Sequence, residues 1–393
     1  MPNSILTVSQ ITREAQRVLH QKLNFVGSIN RQYDDSFAKS GAKIGDTLRV
    51  RLPNQYTVRT GANLSTQDTT EQSVSLQVAT QKGVDTTFSS AELTLSLDDF
   101  SKRILEPAMS VLAANIEADA MAMYKDVYNQ VNNQGSAFTL SKALSGRKKL
   151  VDALAPLSER YCNLNSQDNV DLVTDNKGLF QDSGEIAKQY KEGYMGRTAG
   201  FDFMENTLWP SHSRGDANAS YVCNTSTGIT SGTATITLSG GLGTIKQGDI
   251  FTIAGVFRVH PETKAVTSEL QQFVATADGT TSVSVSPTPY TSGALQNISI
   301  SGAGLGKAVV VAGTASTAHG ISMAYHKDAF AFATADLVLP QGVDFAAREV
   351  MDGISLRIVR QYAISTDTMP CRIDVLYGYK TIRPQLACRL ANN

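Results

Sequence analysis

Apolar residues at Leu105, Met109, Leu112, Ile116, Ala120, Met123, Val127 and Val131 recur at the three-and-four spacing of one helical face, and no other stretch constrains the fold as much. The pattern predicts one long helix from Ser96 to Val131. Ser96 is its N-cap, and Asp98 and Asp99 fall in the first turn, where the helix dipole favours negative charge. Pro107 is the discord. Inside a helix it removes a backbone hydrogen bond, so it either kinks the axis or marks the first turn of the long part. From Pro107 to Val131 the rise is roughly 37 Å, a length suited to a spine on which other segments pack.

A chain of 393 residues has room for two or three domains, and 41% hydrophobic residues are enough for real cores. Charged residues make up only 18%, with Ser, Thr, Asn, Gln and Gly filling the deficit, a mix common in β-rich surface or assembly proteins. A net charge of −1 argues against an electrostatic grip on nucleic acid or an anionic membrane. Cys162, Cys223, Cys371 and Cys388 form no Cys-x-x-Cys pair and are expected to be reduced thiols. The Met-Pro-Asn-Ser-Ile-Leu start lacks a basic segment followed by an apolar run, and no window approaches the ~20 apolar residues of a membrane span. Synthesis in a cytoplasm, without a signal peptide, is the expectation.

Thr7 to Leu23 reads as an amphipathic helix, with Val8, Ile11, Ala15, Val18 and Leu19 on one side, and suits an arm that docks on something else. Two period-two strands follow, one carrying Leu48, Val50 and Leu52, the other Val74, Leu76 and Val78. Between them Pro53 to Glu71 is polar, too long for an ordinary connection, and predicts either disorder or a projecting hairpin partnered by another molecule. Arg49, Arg51 and Arg59 on this hairpin suit solvated surface positions or pairing with acidic groups of a neighbour. Together with Asp68 and Glu71 they are the candidate inter-subunit contacts.

Beyond the spine, helices are expected over 141–154 and 167–173, and a strand over 160–164. From about Gly215 to Ala315 charge is sparse, and short β-like runs alternate with Gly and Pro turns: 233–238, 249–253, 272–275, 282–286, 297–300 and 308–311. Helical patterning on both sides makes this an inserted β domain, a small sandwich or barrel. From His326 the mixed pattern resumes: Phe330, Phe332 and Leu337–Leu339 are expected to be buried. Gly353–Ser365 and Cys371–Tyr379 form two strands joined across Asp367–Pro370, a hairpin that partners the long helix.

Several patterns invite chemistry. Gly302-Ala-Gly-Leu-Gly-Lys307 approaches a phosphate loop, but residue 301 is Ser, Ala308 stands where magnesium binding needs a hydroxyl, and no helix follows. Gly320-Ile-Ser322-Met-Ala324, near His326, approaches a nucleophile elbow without its second Gly and with the His misplaced in order. His20, His212, His260, His319 and His326 form no metal-ligand pair. Arg214-Gly-Asp216 is either an adhesion tripeptide or a turn at a domain boundary. Asn63, Asn218, Asn224 and Asn297 head glycosylation patterns that matter only after export. No catalytic, cofactor or metal residue is therefore assigned, and the chain is read as no enzyme.

The order of parts resembles the major capsid protein of tailed double-stranded-DNA bacteriophages, with the Hong Kong ninety-seven capsid fold. Leu97-Asp-Asp-Phe-Ser-Lys-Arg-Ile-Leu-Glu-Pro-Ala-Met109 resembles the start of that family's spine helix. Gly248-Asp-Ile-Phe-Thr-Ile-Ala-Gly-Val256, Val259-His-Pro-Glu-Thr-Lys264 and Leu270-Gln-Gln-Phe-Val274 are similar to the inserted domain of the Salmonella-podovirus type of coat protein. His326-Lys-Asp-Ala-Phe330 and Arg372-Ile-Asp-Val-Leu-Tyr-Gly-Tyr379 resemble its closing part.

The resemblance implies an α+β tailed-phage capsid fold. Its parts would be an N-terminal arm (1–41), an extended loop (42–82) and a peripheral domain with the spine (83–135 and 345–382). An axial domain (136–214, 316–344 and 383–393) and an inserted β domain (215–315) would complete it. It implies a homo-oligomer of hexamers and pentamers, made in the host cytoplasm with a scaffolding protein and a portal protein. The precursor shell would expand into a virion that holds double-stranded DNA non-specifically and can carry a decoration protein. The competing readings are a secreted or virion-attached adhesin with Arg214–Asp216 as bait, and a serine hydrolase at Ser322.

Overall fold

The computed structural model describes residues 14, 15, 17, 19, 23–31, 47–64, 66, 67, 71–88, 106–176, 196–302, 304–351, 354–365 and 368–392. In chain order these give a helical turn α1 (Phe25–Ser28), strands β1 (Thr47–Arg51), β2 (Ser73–Gln77) and β3 (Thr80–Phe88), and helix α2 (Glu106–Met121). A 3-10 turn (Ala122–Asp126) leads to β4 (Gln130–Asn132), α3 (Leu140–Asp152), β5 (Arg160–Leu164), α4 (Ser166–Asn176), β6 (Arg197–Thr198), β7 (Phe201–Glu205) and β8 (His212–Ser213). Next come β9 (Val222–Cys223), β10 (Thr235–Ser239), β11 (Ile250–Val259), β12 (Val266–Ala275), β13 (Ser282–Ser286), β14 (Ile298–Ile300) and β15 (Lys307–Val311). The chain closes with β16 (Ala318–His326), β17 (Phe330–Ala335), β18 (Phe345–Met351), β19 (Ile354–Arg360), β20 (Met369–Thr381) and β21 (Ala387–Asn392). The fold is α+β, rich in strands and poor in helices. It divides into two compact units, one of Met1–Val50, Ser73–Met121 and Phe330–Ile382, the other of Arg51–Gln72, Ala122–Ala329 and Arg383–Asn393.

The first unit is built on β20. The strand β3 runs along one edge of it, from Met369↔Phe88 to Tyr377↔Thr80, while β19 and β17 share the other edge and β18 pairs beyond β19. A Cβ at Gly378 would lie 2.1 Å from the Gln77 carbonyl oxygen, so glycine is what lets β2 pass this close. Helix α2 buries Met109, Leu112, Ile116 and Ala120, and its Asp119 accepts from Lys82 Nζ at 2.7 Å and from the Tyr377 hydroxyl.

The second unit joins a sheet to a closed barrel. The sheet runs β4-β21-β16-β5-β7-β6, with β8 also paired to β16. Helix α3 lies against it through Ala143, Gly146 and Leu150; a Cβ at Gly146 would already touch the Leu390 side chain at 3.1 Å. In the barrel, β12-β13-β10-β9-β15-β11 form a ring that the β11–β12 pairing closes. Closure removes the free edges that open sheets must protect. Strand β11 bonds β15 through Phe251–Ile253 and β14 through Val256–Arg258. The switch falls at Gly255, whose positive φ of 80° brings the backbone against Ser301. Ile236, Phe251, Ile253, Phe273, Val283 and Val309 fill the ring, so the barrel owns its core.

The spine helix is shorter than its sequence pattern. Its apolar face is buried as expected through Met123, but the helix ends at Met121, and Val131 lies in strand β4, parallel to β21. Tertiary bonding is the reason. Arg389 N–H donates to the Asn129 carbonyl at 2.8 Å, and the Asn129 side chain donates to the Ala387 carbonyl at 3.1 Å, tying this segment into the sheet. Leu337 is buried as expected, whereas Val338 is 77% exposed and Leu339 38%, because the chain there leaves β17 for the β18 turn. Ser96, Asp98, Asp99, Leu105, Gly353, Asp367 and most of the Thr7–Leu23 helix lie outside the described residues.

Candidate functional site

The candidate contact residues sit on an extended, exposed hairpin. Its neck is closed by the Leu52 N–H donating to the Gln72 carbonyl at 2.8 Å and by Arg51 with Glu71, 3.6 Å apart and both largely exposed. Farther out, the Gln67 side-chain amide accepts from Thr57 N–H at 2.9 Å and donates to the Thr57 carbonyl at 2.7 Å, standing in for a strand partner. Arg59 donates to the Gly61 carbonyl, and Arg49 is exposed on β1. Asp68 lies outside the described residues. Of the five, the structure brings Arg51 and Glu71 together within one chain; it also exposes Val58 (94%) and Leu64 (84%), which a purely polar reading of the loop overlooked.

Sequence reasoning also missed a buried polar cluster at the root of the barrel. Asp249, 2% exposed, accepts from His212 Nε2 at 2.9 Å, Gly215 N–H at 3.0 Å and Lys246 N–H at 2.9 Å. His212 Nδ1 shares its other hydrogen bond with the Tyr124 hydroxyl, 3.1 Å away. Directly across the β8–β16 pairing stands His319, its ring edge-on to His212 at 5.4 Å, with Gln134 Nε2 within 3.0 Å of its ring nitrogens. Arg389 donates from Nη2 to the Gly248 carbonyl at 2.8 Å and lies over the Tyr124 ring. Burial, reinforced by His212 and Arg389, pushes His319 down to about 4. Burial likewise lowers Arg389 to about 10 and raises Tyr124. The one sequence signal was Gly248 before Asp249: a Cβ there would lie 2.9 Å from His212 Cε1.

Two further contacts fasten the root. Arg214 donates to the Gly313 carbonyl and, at 2.9 Å, to the Ala217 carbonyl, bridging the two connecting segments that enter and leave the barrel. A Cβ at Gly215 would meet the Thr244 oxygen at 2.1 Å, and Asp216 accepts from Thr244 N–H at 2.7 Å. The Arg214–Asp216 tripeptide is thus an irregular crossing segment rather than a turn, and its arginine is buried rather than displayed as bait.

The other sequence candidates are also spent on structure. Ser322 lies in the middle of β16, fully buried, and its hydroxyl donates to Asp168; Asn392 Nδ2 donates to the same carboxylate oxygen at 2.8 Å. No elbow exposes that hydroxyl. The Gly302 loop leads into strand β15, and its Gly304 carbonyl accepts from Thr225 N–H at 3.1 Å. Among the described residues no group of three or more His, Cys, Asp or Glu is placed to hold a metal ion, and no helix is long and apolar enough to cross a membrane.

A family model described as P22 coat protein, gene protein 5, matches residues 217–389. A solved structure from Mycobacterium phage Che8 is similar over 94% of this chain and 90% of its own, at 13% identity and a TM-score of 0.48. The capsid structure of Cyanophage P-SCSP1u is similar over 90% and 84%, at 10% identity and a TM-score of 0.44. The mature capsid of bacteriophage PhiM1 is similar over 88% and 82%, at 11% identity and a TM-score of 0.43. No curated protein matches the chain. The resemblance to the major capsid proteins of tailed bacteriophages therefore holds, and it holds over residues 217–389, where the chain matches the P22 coat protein family.

Proposed function

We propose that this chain is the structural major capsid protein of a tailed bacteriophage head. The carrying observation is the coat-protein family match, which spans the barrel, its return into β16 and the strands through Arg389. In this reading the chain performs no chemistry. Copies associate as hexamers and pentamers into an icosahedral shell around double-stranded DNA, first as a scaffold-assisted precursor that expands. The hairpin of 42–82 lies over the next subunit, residues 215–315 stand on the outer surface, and the sheet of 136–214, 316–344 and 383–393 lines the capsomer centre. Arg49, Arg51, Arg59, Asp68 and Glu71 meet neighbouring subunits, while scaffolding, portal and decoration proteins are the further partners. The exposed, side-chain-laddered hairpin supports this, since ordered polar surface with apolar points at Val58 and Leu64 gains most when covered by another copy.

The test is expression with and without the cognate scaffolding protein, followed by negative-stain microscopy. Uniform closed shells in the presence of scaffold are expected. Small soluble oligomers under every condition would overturn the reading.

A further inference from the structure

We propose that the His212–His319 pair at the barrel root is an acid-operated latch, which holds the barrel against the β16–β21 sheet near neutral pH and releases it, still folded, when His319 takes a proton. The geometry supplies the lock. Asp249 is a barrel residue whose carboxylate is held by His212 from β8, and Arg389 of β21 grips the barrel's Gly248 carbonyl. Each bond crosses from the sheet to the barrel, and each is buried.

The geometry also supplies the trigger. His319 is met by His212 from β8, Arg389 from β21, Asp249 from the barrel and Gln134 from the turn after β4. Tyr124 and Lys125 come from the 3-10 turn, where Lys125 lies along Gly248, and Arg214 faces Asp249 from the linker. Asp249 is the anion among these groups, and His212 and two backbone N–H donors already occupy it. A proton on His319 therefore adds a cation beside Arg389 in a site with little water to screen it. Two Arg389 nitrogens, Nε and Nη1, have no hydrogen-bond partner in the closed root, so that guanidinium gains partners on opening.

The sign follows from linkage. With the root open, His319 regains its ordinary value of 6.5; closed, it sits at about 4. The open form therefore binds more protons between those values, and closure weakens as pH falls through that window, about tenfold per pH unit. The barrel itself has a closed hydrogen-bond ring and its own core, and carries no part of this penalty.

The experiment uses the full chain and hydrogen exchange corrected for intrinsic rates. Between about pH 7 and pH 4.5, amides of 212–217 and 246–249 should exchange about a hundredfold faster. Those of β11 and β12 should keep their protection. In His319→Gln, which keeps a polar side chain beside Gln134 but cannot charge, the acid response should disappear, whereas His326→Gln, at a buried histidine elsewhere on β16, should retain it. Loss of barrel protection together with the root, or an unchanged response in His319→Gln, overturns the latch. If that variant does not fold, the wild-type His319 Cε1 proton titration decides: a midpoint below about 5 supports the latch, and one near 6.5 overturns it.

Discussion

The side-chain amide of Gln272 binds the backbone of Gln130 at both of its polar atoms, accepting from the N–H and donating to the carbonyl at 3.0 Å each. A barrel residue thereby supplies what a neighbouring strand would supply to the outer edge of β4. Gln130 is 3% exposed, so its peptide has no water to fall back on. Gln272→Ala should cost about 2 kcal/mol, the penalty of leaving a buried peptide unpaired. Gln272→Glu should cost a similar amount, because the donor half is lost. Urea denaturation of the full chain reads this; an unchanged midpoint for Gln272→Ala would show that the pairing carries no stability.

Glu117 offers the same device inside the first unit. Its carboxylate, 1% exposed, accepts from the Phe25 and Val26 N–H groups at 3.0 Å each and so fastens the α1 turn to α2 across more than ninety residues, 92 in the case of Phe25. Charge-assisted bonds of this kind are the stronger ones. Glu117→Ala should lower stability by about 3 kcal/mol and Glu117→Gln by about half of that, since the amide still accepts but carries no charge. Equal losses in the two variants would contradict a charge-assisted anchor.

How much of this was legible depended on how local the cause is. The strand at 160–164 was read at its observed bounds, and 282–286 likewise, because alternation and flanking turns are written within a few residues. The long helix was read well at Met109 through Met123, where burial follows the period. It was overread at Val127 and Val131, whose spacing continues the pattern although Gln130–Asn132 pair with residues far along the chain. The polar root was invisible for the same reason. His212, Asp249, His319 and Arg389 share no motif, and only the meeting of β8, β16 and β21 with the barrel segment before β11 brings them together.

The barrel should fold without the rest of the chain. Its ring closes within 222–311, and its core draws on residues from Ala217 to Val311. A fragment of residues 216–314 is expected to show a β-type circular dichroism spectrum and a cooperative thermal transition; a random-coil spectrum would refute this. Asp249→Asn sharpens the test. In the full chain it weakens the bonds to His212, Gly215 and Lys246 and should cost about 1–3 kcal/mol. In the fragment, which lacks His212 and Gly215 and keeps only the Lys246 bond, it should cost less than in the full chain.

All four cysteines are buried free thiols. Burial raises Cys223, Cys371 and Cys388 to about 11 and Cys162 well above its ordinary value. At pH 8 roughly one thiol in a thousand is then ionised, and the reagent must also reach it. A maleimide should label none of them in the native protein and all four in denaturant. Rapid native labelling at Cys371 would show that β20 opens where the structure closes it.

The described residues of the hairpin beyond Leu52 contribute little to their own chain. Residues 53–64 are exposed except for those hydrogen bonds that ladder Thr57 to Gln67, and the neck closes at Leu52 and Gln72 without them. Removing Asn54–Thr70 should therefore change the unfolding free energy by less than about 0.5 kcal/mol, the scale of surface changes. Shell assembly is the quantity that should vanish under the proposed function, because the deletion removes exposed Val58 and Leu64 together with the Thr57–Gln67 ladder. Val58→Ser with Leu64→Ser should act in the same direction but less completely, since each apolar side chain, once covered, contributes about 1.5–3 kcal/mol to every subunit contact it enters. Sedimentation velocity at matched concentrations separates the outcomes. Normal particles from the deletion would detach this hairpin from assembly, and a collapsed monomer would show instead that it serves folding.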